Sequence, residues 1–299
     1  MTNALYPPAR PQSVGEVLDL AFRIFGATLL KCLPFAALAV IAGQLPNAYS
    51  LANGQPLLAS AQLAQQRFFD PKFWLLELVA IFLTVTLTNA VVLRQYALIT
   101  AEPGNGGGPL SAGARHAPGM LLIWIVIALA ILALCVVPGL FFGGLLGALT
   151  GGGVQSVGAM SGAALLVILV LLVLASIIVL RWSCAGTVYL VTERGPLTSM
   201  SRSWQLTRGH FWRLSLIYSV AIVLLLVLYL LSGVIGSVVT LMFVRGNLAA
   251  MTAATAVVVV LMGAFATPFY SALALAVLGD LSVRSEGGDL ERRISAPAT

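Results

Sequence analysis

Six long, uninterrupted apolar segments constrain this chain more than any other feature of its sequence. The segments span residues 26–45, 73–99, 120–150, 163–191, 212–243 and 248–278, so each has 20 residues or more. About 20 apolar residues in a helix cross the roughly 30 Å of hydrocarbon in a bilayer. Strands of a membrane barrel alternate in polarity and are much shorter, so continuous runs favour helices. The sequence therefore predicts an all-α, polytopic integral membrane protein with six transmembrane helices.

The charged residues are few and unevenly distributed. Only 9% of the residues are charged and 60% are apolar, and the net charge is +6. Thirteen of the 16 Lys and Arg residues lie before or early in the first segment, in the second-to-third and fourth-to-fifth connections, or after the sixth segment. The positive-inside rule then places both termini in the cytoplasm and residues 45–71, 150–162 and 245–247 outside. This distribution indicates contact with lipid headgroups rather than with nucleic acid.

Amphipathic segments precede the first and fifth apolar segments. Ser13 and Glu16 have the spacing of a capping box, and the residues that follow, up to position 25, divide into an apolar and a charged side. A second segment begins at Pro196, with Leu197, Met200 and Trp204 on one face. Both patterns predict cytoplasmic interfacial helices that lie against the membrane.

Two short motifs recur at one offset of 87 residues. Val92-Leu93-Arg94 recurs as Val179-Leu180-Arg181, and Gly108-Pro109-Leu110-Ser111 recurs as Gly195-Pro196-Leu197-Thr198. A shared offset predicts parallel internal repeats of a helix plus a hairpin, unlike the inverted repeats of many transporters. The predicted organisation is a cytoplasmic tail at 1–12, one membrane domain at 13–279 with repeat units 13–99, 109–192 and 196–279, and a second tail at 280–299.

Residues of two kinds are candidates for functional or packing roles. Arginine and tryptophan side chains at a membrane boundary are typical of headgroup contacts, and here these are Arg194, Arg202, Trp204, Arg208, Trp212 and Arg213. Small residues spaced by four predict close helix packing at Gly139, Gly143, Gly147 and Gly236. Pro138 and Pro268 are candidate kinks, which leaves open whether they are hinges.

Residues that commonly carry chemistry do not form a recognisable set in this sequence. His116 and His210 lack a nearby Cys or second His at metal-ligand spacing, so we expect no metal and no cofactor. The three cysteines lie inside apolar segments, where small buried side chains are the favoured interpretation: Cys32, Cys135 and Cys184. Lys31, Arg94 and Arg181 lie near cytoplasmic ends, where they can snorkel to headgroups. We expect Asn89, the deepest strongly polar side chain, to form a hydrogen bond between helices.

Three segments carry a family resemblance: SVGEVLDLAFRIF near the start, VTERGPLTSMSRSWQLTRGHFWRL at 191–214, and GDLSVRSEGGDLERRI near the end. They resemble bacterial six-helix proteins related to the membrane domain that is attached to some glycerophosphodiester phosphodiesterases. The resemblance covers nearly the whole chain and departs at Ser199, Ser201 and Ser282, where Ala, Arg and Arg are usual. It implies a six-helix fold in a bacterial inner membrane but no chemistry, because this chain has no catalytic phosphodiesterase domain.

These features favour a non-enzymatic inner-membrane scaffold or accessory protein, whose partners are membrane lipids and other membrane proteins. A transporter of lipid or a small amphiphile is the alternative: the repeats, kinks and glycines fit it, but a polar site at mid-membrane depth is lacking. An intramembrane enzyme fits least, because the sequence offers no evident set of acid, base and nucleophile.

Overall fold

The computed structural model describes residues 6–8, 10–53, 69–100, 108–149, 162–192, 194–243 and 248–295. Within these residues every regular element is a helix. The helices are α1 (Val14–Gly43), α2 (Leu45–Ala52), α3 (Pro71–Thr100), α4 (Pro109–Leu149), α5 (Gly162–Arg181), α6 (Ala185–Val191), α7 (Pro196–Thr207), α8 (Phe211–Phe243) and α9 (Leu248–Ser295). Apart from Gly162, the predicted external connections at 150–162 and 245–247 lie outside the described residues.

Six stretches of helix are long and apolar enough to cross a membrane. They are Val14–Gly43, Pro71–Thr100, Pro109–Leu134, Leu169–Val191, Phe211–Val238 and Ala256–Ser285. In each of them, 33% or less of the most apolar window is buried inside the fold, so most apolar side chains face outward, as in a protein surrounded by lipid. The prediction of an all-α protein with six candidate transmembrane helices is confirmed.

Helix α1 begins at the predicted capping box but is longer than expected. The Ser13 amide donates to Glu16 Oε2 at 2.6 Å, and the Glu16 amide donates to Ser13 Oγ at 3.3 Å. The expected interfacial helix up to residue 25 is not a separate element, because α1 continues without a break to Gly43. One face remains buried along its whole length, through Val17, Ala21, Ile24, Thr28, Cys32, Ala36 and Ala39. These i, i+3 and i, i+4 steps keep a single stripe against the core, so nothing ends the helix at Gly26.

The largest core cluster surrounds the second half of α9. Residues 271–281 are all buried, so this part of α9 is covered on every side. Its neighbours in the cluster come from the start of α1, the end of α3, α6 and the start of α8, represented by Ile24, Ile99, Val188 and Ile217. A helix that is covered on every side lies at the centre of a bundle.

Helices α3 and α4 approach each other closely at a glycine. A Cβ atom on Gly113 would overlap the carbonyl oxygen of Thr86, so only glycine fits this crossing without a backbone shift. Asn89 Nδ2 donates to the Gly113 carbonyl at 3.4 Å. The predicted hydrogen bond from Asn89 to another helix is therefore confirmed.

The four glycines that the sequence indicates for packing are only partly described. The surroundings of Gly139, Gly143 and Gly147 lie outside the described part of the structure, which includes their helical backbone alone. A Cβ on Gly236 would lie 3.4 Å from Val258 Cγ2, at the contact between α8 and α9.

The fourth candidate span is interrupted, and α7 packs on the interruption. Residues 182–184 form a turn between α5 and α6, and the Ser203 hydroxyl of α7 donates to the Arg181 carbonyl at 2.8 Å. The Thr207 hydroxyl also donates to this carbonyl at 3.3 Å. Hydroxyl donors here satisfy a carbonyl that the broken helix leaves without its usual partner.

The buried face of α7 differs from the predicted one. Of the three residues expected on one apolar face, Met200 is buried, whereas Leu197 and Trp204 are exposed. The side that packs inward instead carries Ser199, Met200, Ser203, Leu206 and Thr207. The apolar pattern is misleading because the Arg181 carbonyl at the end of α5 needs hydroxyl donors, which Ser203 and Thr207 supply from the inward side.

Candidate functional site

A buried carboxylate lies at the centre of the most polar contact in the described structure. Asp280 in α9 is 2% exposed, and its Oδ2 is 2.9 Å from Arg213 Nη2 of α8. Arg284, one turn later in α9, places its Nε 3.2 Å from Oδ1 and 3.1 Å from Oδ2. We call Asp280, Arg213, Arg284 and Gln12 the Asp280 cluster.

Gln12 joins the cluster through its backbone. Its amide donates to Asp280 Oδ1 at 2.7 Å, and its carbonyl accepts from Arg284 Nη2 at 2.7 Å and from Arg213 Nη2. The segment before α1, the start of α8 and the end of α9 therefore meet at one end of the bundle.

The segment that precedes Gln12 also packs against the bundle. Tyr6 is buried and contacts the Tyr96 ring edge-on at a centroid distance of 5.7 Å. A Cβ on Gly279 would lie 2.7 Å from Tyr6 Cε2, so glycine makes room for this ring. The described part of the predicted 1–12 tail thus lies against α3 and α9.

The charges in the Asp280 cluster do not cancel. Two guanidinium groups surround one carboxylate, and the arginine side chains remain 20% and 25% exposed. Two buried atoms of the cluster, Gln12 Oε1 and Arg213 Nε, have no hydrogen-bond partner among the described residues. The pKa of nearby His210 is lowered, first by burial and then by the positive charges of Arg284 and Arg213, which outweigh Asp280. This end of the bundle is consequently electropositive, and it favours a neutral His210.

The six residues predicted to contact headgroups fall into two groups. Arg194 and Arg208 are exposed, Arg202 is half-buried, and Trp212 is 83% exposed. Among the described residues, none of these three arginines forms an ion pair. We call Arg194, Arg202, Arg208 and Trp212 the basic surface.

Arg213 and Trp204 have internal partners instead. Arg213 binds Asp280 and Gln12, and the Trp204 ring lies against the Arg181 guanidinium at 5.1 Å from Cζ to the ring centroid. Arg213 therefore stabilises the fold, which its place among interfacial arginines did not indicate. The available signal was Asp280, a lone carboxylate directly after an apolar segment with Arg284 at i+4.

A second polar contact, which the sequence did not indicate, lies deep in the bundle. Gln95 is fully buried, and its Nε2 donates to Thr28 Oγ1 at 3.1 Å and to the Pro268 carbonyl at 3.0 Å. Its Oε1 has no hydrogen-bond partner. Gln95 thus connects α3 to α1 and to α9 at the proline that the sequence marks as a kink.

The fold and these sites define a multi-pass α-helical membrane protein. In the described ranges, no group of three or more His, Cys, Asp or Glu side chains is placed to hold a metal ion. Comparison with protein-family models, curated proteins and solved structures gives no match, so the family resemblance of the three segments stays a prediction.

Proposed function

We propose that this chain is a non-enzymatic scaffold or accessory protein of a bacterial inner membrane, with both termini in the cytoplasm, and that it binds anionic lipid. One observation carries the proposal: the basic surface exposes arginines that lack carboxylate partners among the described residues, beside an exposed tryptophan. Cations near a membrane surface attract anionic lipids by about 1 kcal/mol each, and tryptophan prefers the headgroup level. Other membrane proteins are the further partners that this role requires.

The position of the basic surface supports a fixed orientation in the membrane. Arg208 and Trp212 lie beside Arg213, and the Asp280 cluster ties Arg213 to Gln12 and to α9. At the opposite end of α1, the Tyr49 hydroxyl donates to Asp70 Oδ2 at 3.1 Å. Most basic residues belong to the Asp280 end, which under the positive-inside rule is the cytoplasmic end.

Parallel repeats are part of the same proposal. Leu110 and Leu197 each lie in the first turn of a helix that begins at a proline, as the offset of 87 residues requires. The units then differ, since α4 continues as one helix whereas α7 ends at Thr207 and α8 follows separately. The interfacial helix is therefore a separate element, α7, in the unit that begins at Pro196. In the unit that begins at Pro109 it is continuous with the spanning helix α4.

Lipid binding is tested with the triple variant R194Q/R202Q/R208Q in mixed micelles. We expect the affinity for phosphatidylglycerol to fall by about 100-fold, because three arginines contribute about 3 kcal/mol, while the affinity for phosphatidylcholine stays unchanged. Arg213 is left intact because its replacement would remove the contacts with Asp280 and Gln12. Lys72→Gln, which removes one cation at the Tyr49 end, is the control for loss of positive charge away from the basic surface. Equal affinity of the triple variant and the native protein for phosphatidylglycerol contradicts the proposal.

A transporter of lipid or small amphiphile remains the second candidate, and Gln95 favours it. A buried amide with a free oxygen, next to a proline in a spanning helix, is a polar group that a substrate could use. Proteoliposomes that take up a fluorescent phospholipid with the native protein, and lose uptake with Q95L, would support transport. Equal rates in empty liposomes and proteoliposomes would leave the scaffold as the sole proposal.

A further inference from the structure

Two arginines inside the candidate spans have no counter-ion among the described residues. Arg94 lies in α3 and Arg181 at the end of α5, and neither forms an ion pair or a side-chain hydrogen bond within the described residues. One nitrogen of each is buried without a partner, Nε in Arg94 and Nη1 in Arg181. A charged group inside a span is costly unless it pairs with an anion or reaches the headgroup level.

The surroundings of Arg94 add positive charge rather than compensate it. Its guanidinium carbon lies 5.3 Å from the centroid of the Phe35 ring in α1. Lys31, on the same helix as Phe35, adds a second cation to this region, since both Lys31 and Arg94 act electrostatically on the Cys32 thiol. Arg94 lies about 9 Å along the helix axis from Thr100, at 1.5 Å per residue, so its side chain can reach the headgroup level.

The surroundings of Arg181 hold its guanidinium in a defined place. The Trp204 ring packs against it at 5.1 Å, and the Trp182 ring lies 6.1 Å from that of Trp204. The backbone of Arg181 is also fixed, because its carbonyl accepts from the hydroxyls of Ser203 and Thr207. A guanidinium that is already ordered loses little entropy when it binds an anion.

The two arginines occupy corresponding places in the repeated Val-Leu-Arg motif. The leucines before them, Leu93 and Leu180, both pack against the main core cluster. Each arginine therefore follows a leucine that packs on the core, and an aromatic ring lies against its guanidinium. Both arginines are half-buried, so part of each side chain remains accessible.

We propose that Arg94 and Arg181 each bind the phosphate of one lipid molecule, at two separate sites on the same side of the membrane. The planar guanidinium matches phosphate geometry with parallel N–H···O bonds, and the phosphate supplies the negative charge that the described residues do not provide at either position. This inference rests on the proposed lipid-binding function but differs from it, since the two lipids are bound individually and the basic surface attracts many.

The test counts lipids that remain bound to the purified protein by native mass spectrometry. The native protein should retain two phospholipids more than R94Q/R181Q, and each single variant should retain one more than the double variant. Arg115→Gln removes an exposed arginine of α4 and should leave the count unchanged. Equal counts in the native protein and R94Q/R181Q overturn the inference. A loss of two lipids in R94Q/R181Q, together with native phosphatidylglycerol affinity in R194Q/R202Q/R208Q, would support this inference and contradict the proposed function, so the two can fail separately.

A titration of delipidated native protein identifies the source of the phosphate and does not depend on how the variants fold. Dioleoylphosphatidylglycerol should raise the unfolding temperature, and dioleoylglycerol, which lacks phosphate, should not. Inorganic phosphate in the same micelles distinguishes a free anion from a lipid headgroup. Stabilisation by inorganic phosphate alone, or equal stabilisation by both lipids, contradicts the proposal.

The lysine variants R94K and R181K keep the charge but lose the planar fork of the guanidinium. Each glutamine variant should weaken phosphatidylglycerol binding by about fivefold, and each lysine variant should weaken it by less.

Discussion

Among substitutions that remove a single charge, Asp280→Asn should lower the free energy of unfolding of this protein by one of the largest amounts. The carboxylate is 2% exposed and pairs with two arginines, so its loss leaves two neighbouring guanidinium groups without an anion. Breaking a buried ion pair by removing one partner costs about 3–5 kcal/mol. Here the arginines are 20% and 25% exposed, so water partly compensates them and we expect about 3 kcal/mol.

Glu16→Gln is the matched control, because it also removes one carboxylate near the same end of the bundle. Glu16 and its partner Arg10 are 41% and 76% exposed, so water screens the pair and it contributes little to stability. Glutamine also preserves the capping box with Ser13. D280N should therefore lower the free energy of unfolding clearly more than E16Q does.

Equilibrium unfolding in mixed micelles, followed by tryptophan fluorescence, measures this difference. The double variant D280N/R213Q should be less destabilised than the sum of its single variants, because both changes remove the same contact. Additive effects, or a D280N variant as stable as E16Q, would show that the cluster does not stabilise the fold.

Three further predictions concern packing, protonation and topology. Gly113→Ala should destabilise the protein by about 1–3 kcal/mol in the same unfolding assay, whereas Gly233→Ala, where a Cβ meets open space, should be neutral or stabilising. Because the fold lowers the pKa of His210 from 6.5, the unfolded chain binds more protons than the folded protein just below that pH. The free energy of unfolding should therefore decrease as the pH is lowered from about 6.5 to the folded pKa. His210→Gln should flatten this slope in unfolding curves at several pH values. In a cysteine-free background, Thr198→Cys should react with an impermeant maleimide only from the cytoplasmic side and Asn53→Cys only from the external side; the reverse pattern would invert the topology.

Local patterns in the sequence predicted the spans well because each span depends on its own composition. The capping box at Ser13 and the hydrogen bond from Asn89 were likewise readable from short stretches of residues. The continuity of α1 was not, because the signal that keeps its first turns in the bundle is the central position of α9, more than 200 residues later. A separate amphipathic helix and the first half of a buried one have the same pattern of apolar residues.

The same limit applies to the candidate site. In the sequence Arg213 resembles the other interfacial arginines, because proximity along the chain does not show that Asp280 pairs with it across 67 residues. Gln95 carries no sequence signal, because its partners are a threonine hydroxyl and a backbone carbonyl on two other helices. Long-range polar pairs of this kind arise from tertiary packing, which single-sequence patterns do not encode.

The contact between Gln12 and Asp280 also sets an order of events during synthesis. The two residues are 268 positions apart, and at about 5–20 residues per second the ribosome needs roughly 15 to 50 s to add the second after the first. Throughout that time the start of the chain lacks its final partner, so it stays accessible to proteases and chaperones. A chain that stops before Asp280 never forms this hydrogen bond, so protection of the Gln12 amide distinguishes a chain that includes Asp280 from an interrupted one.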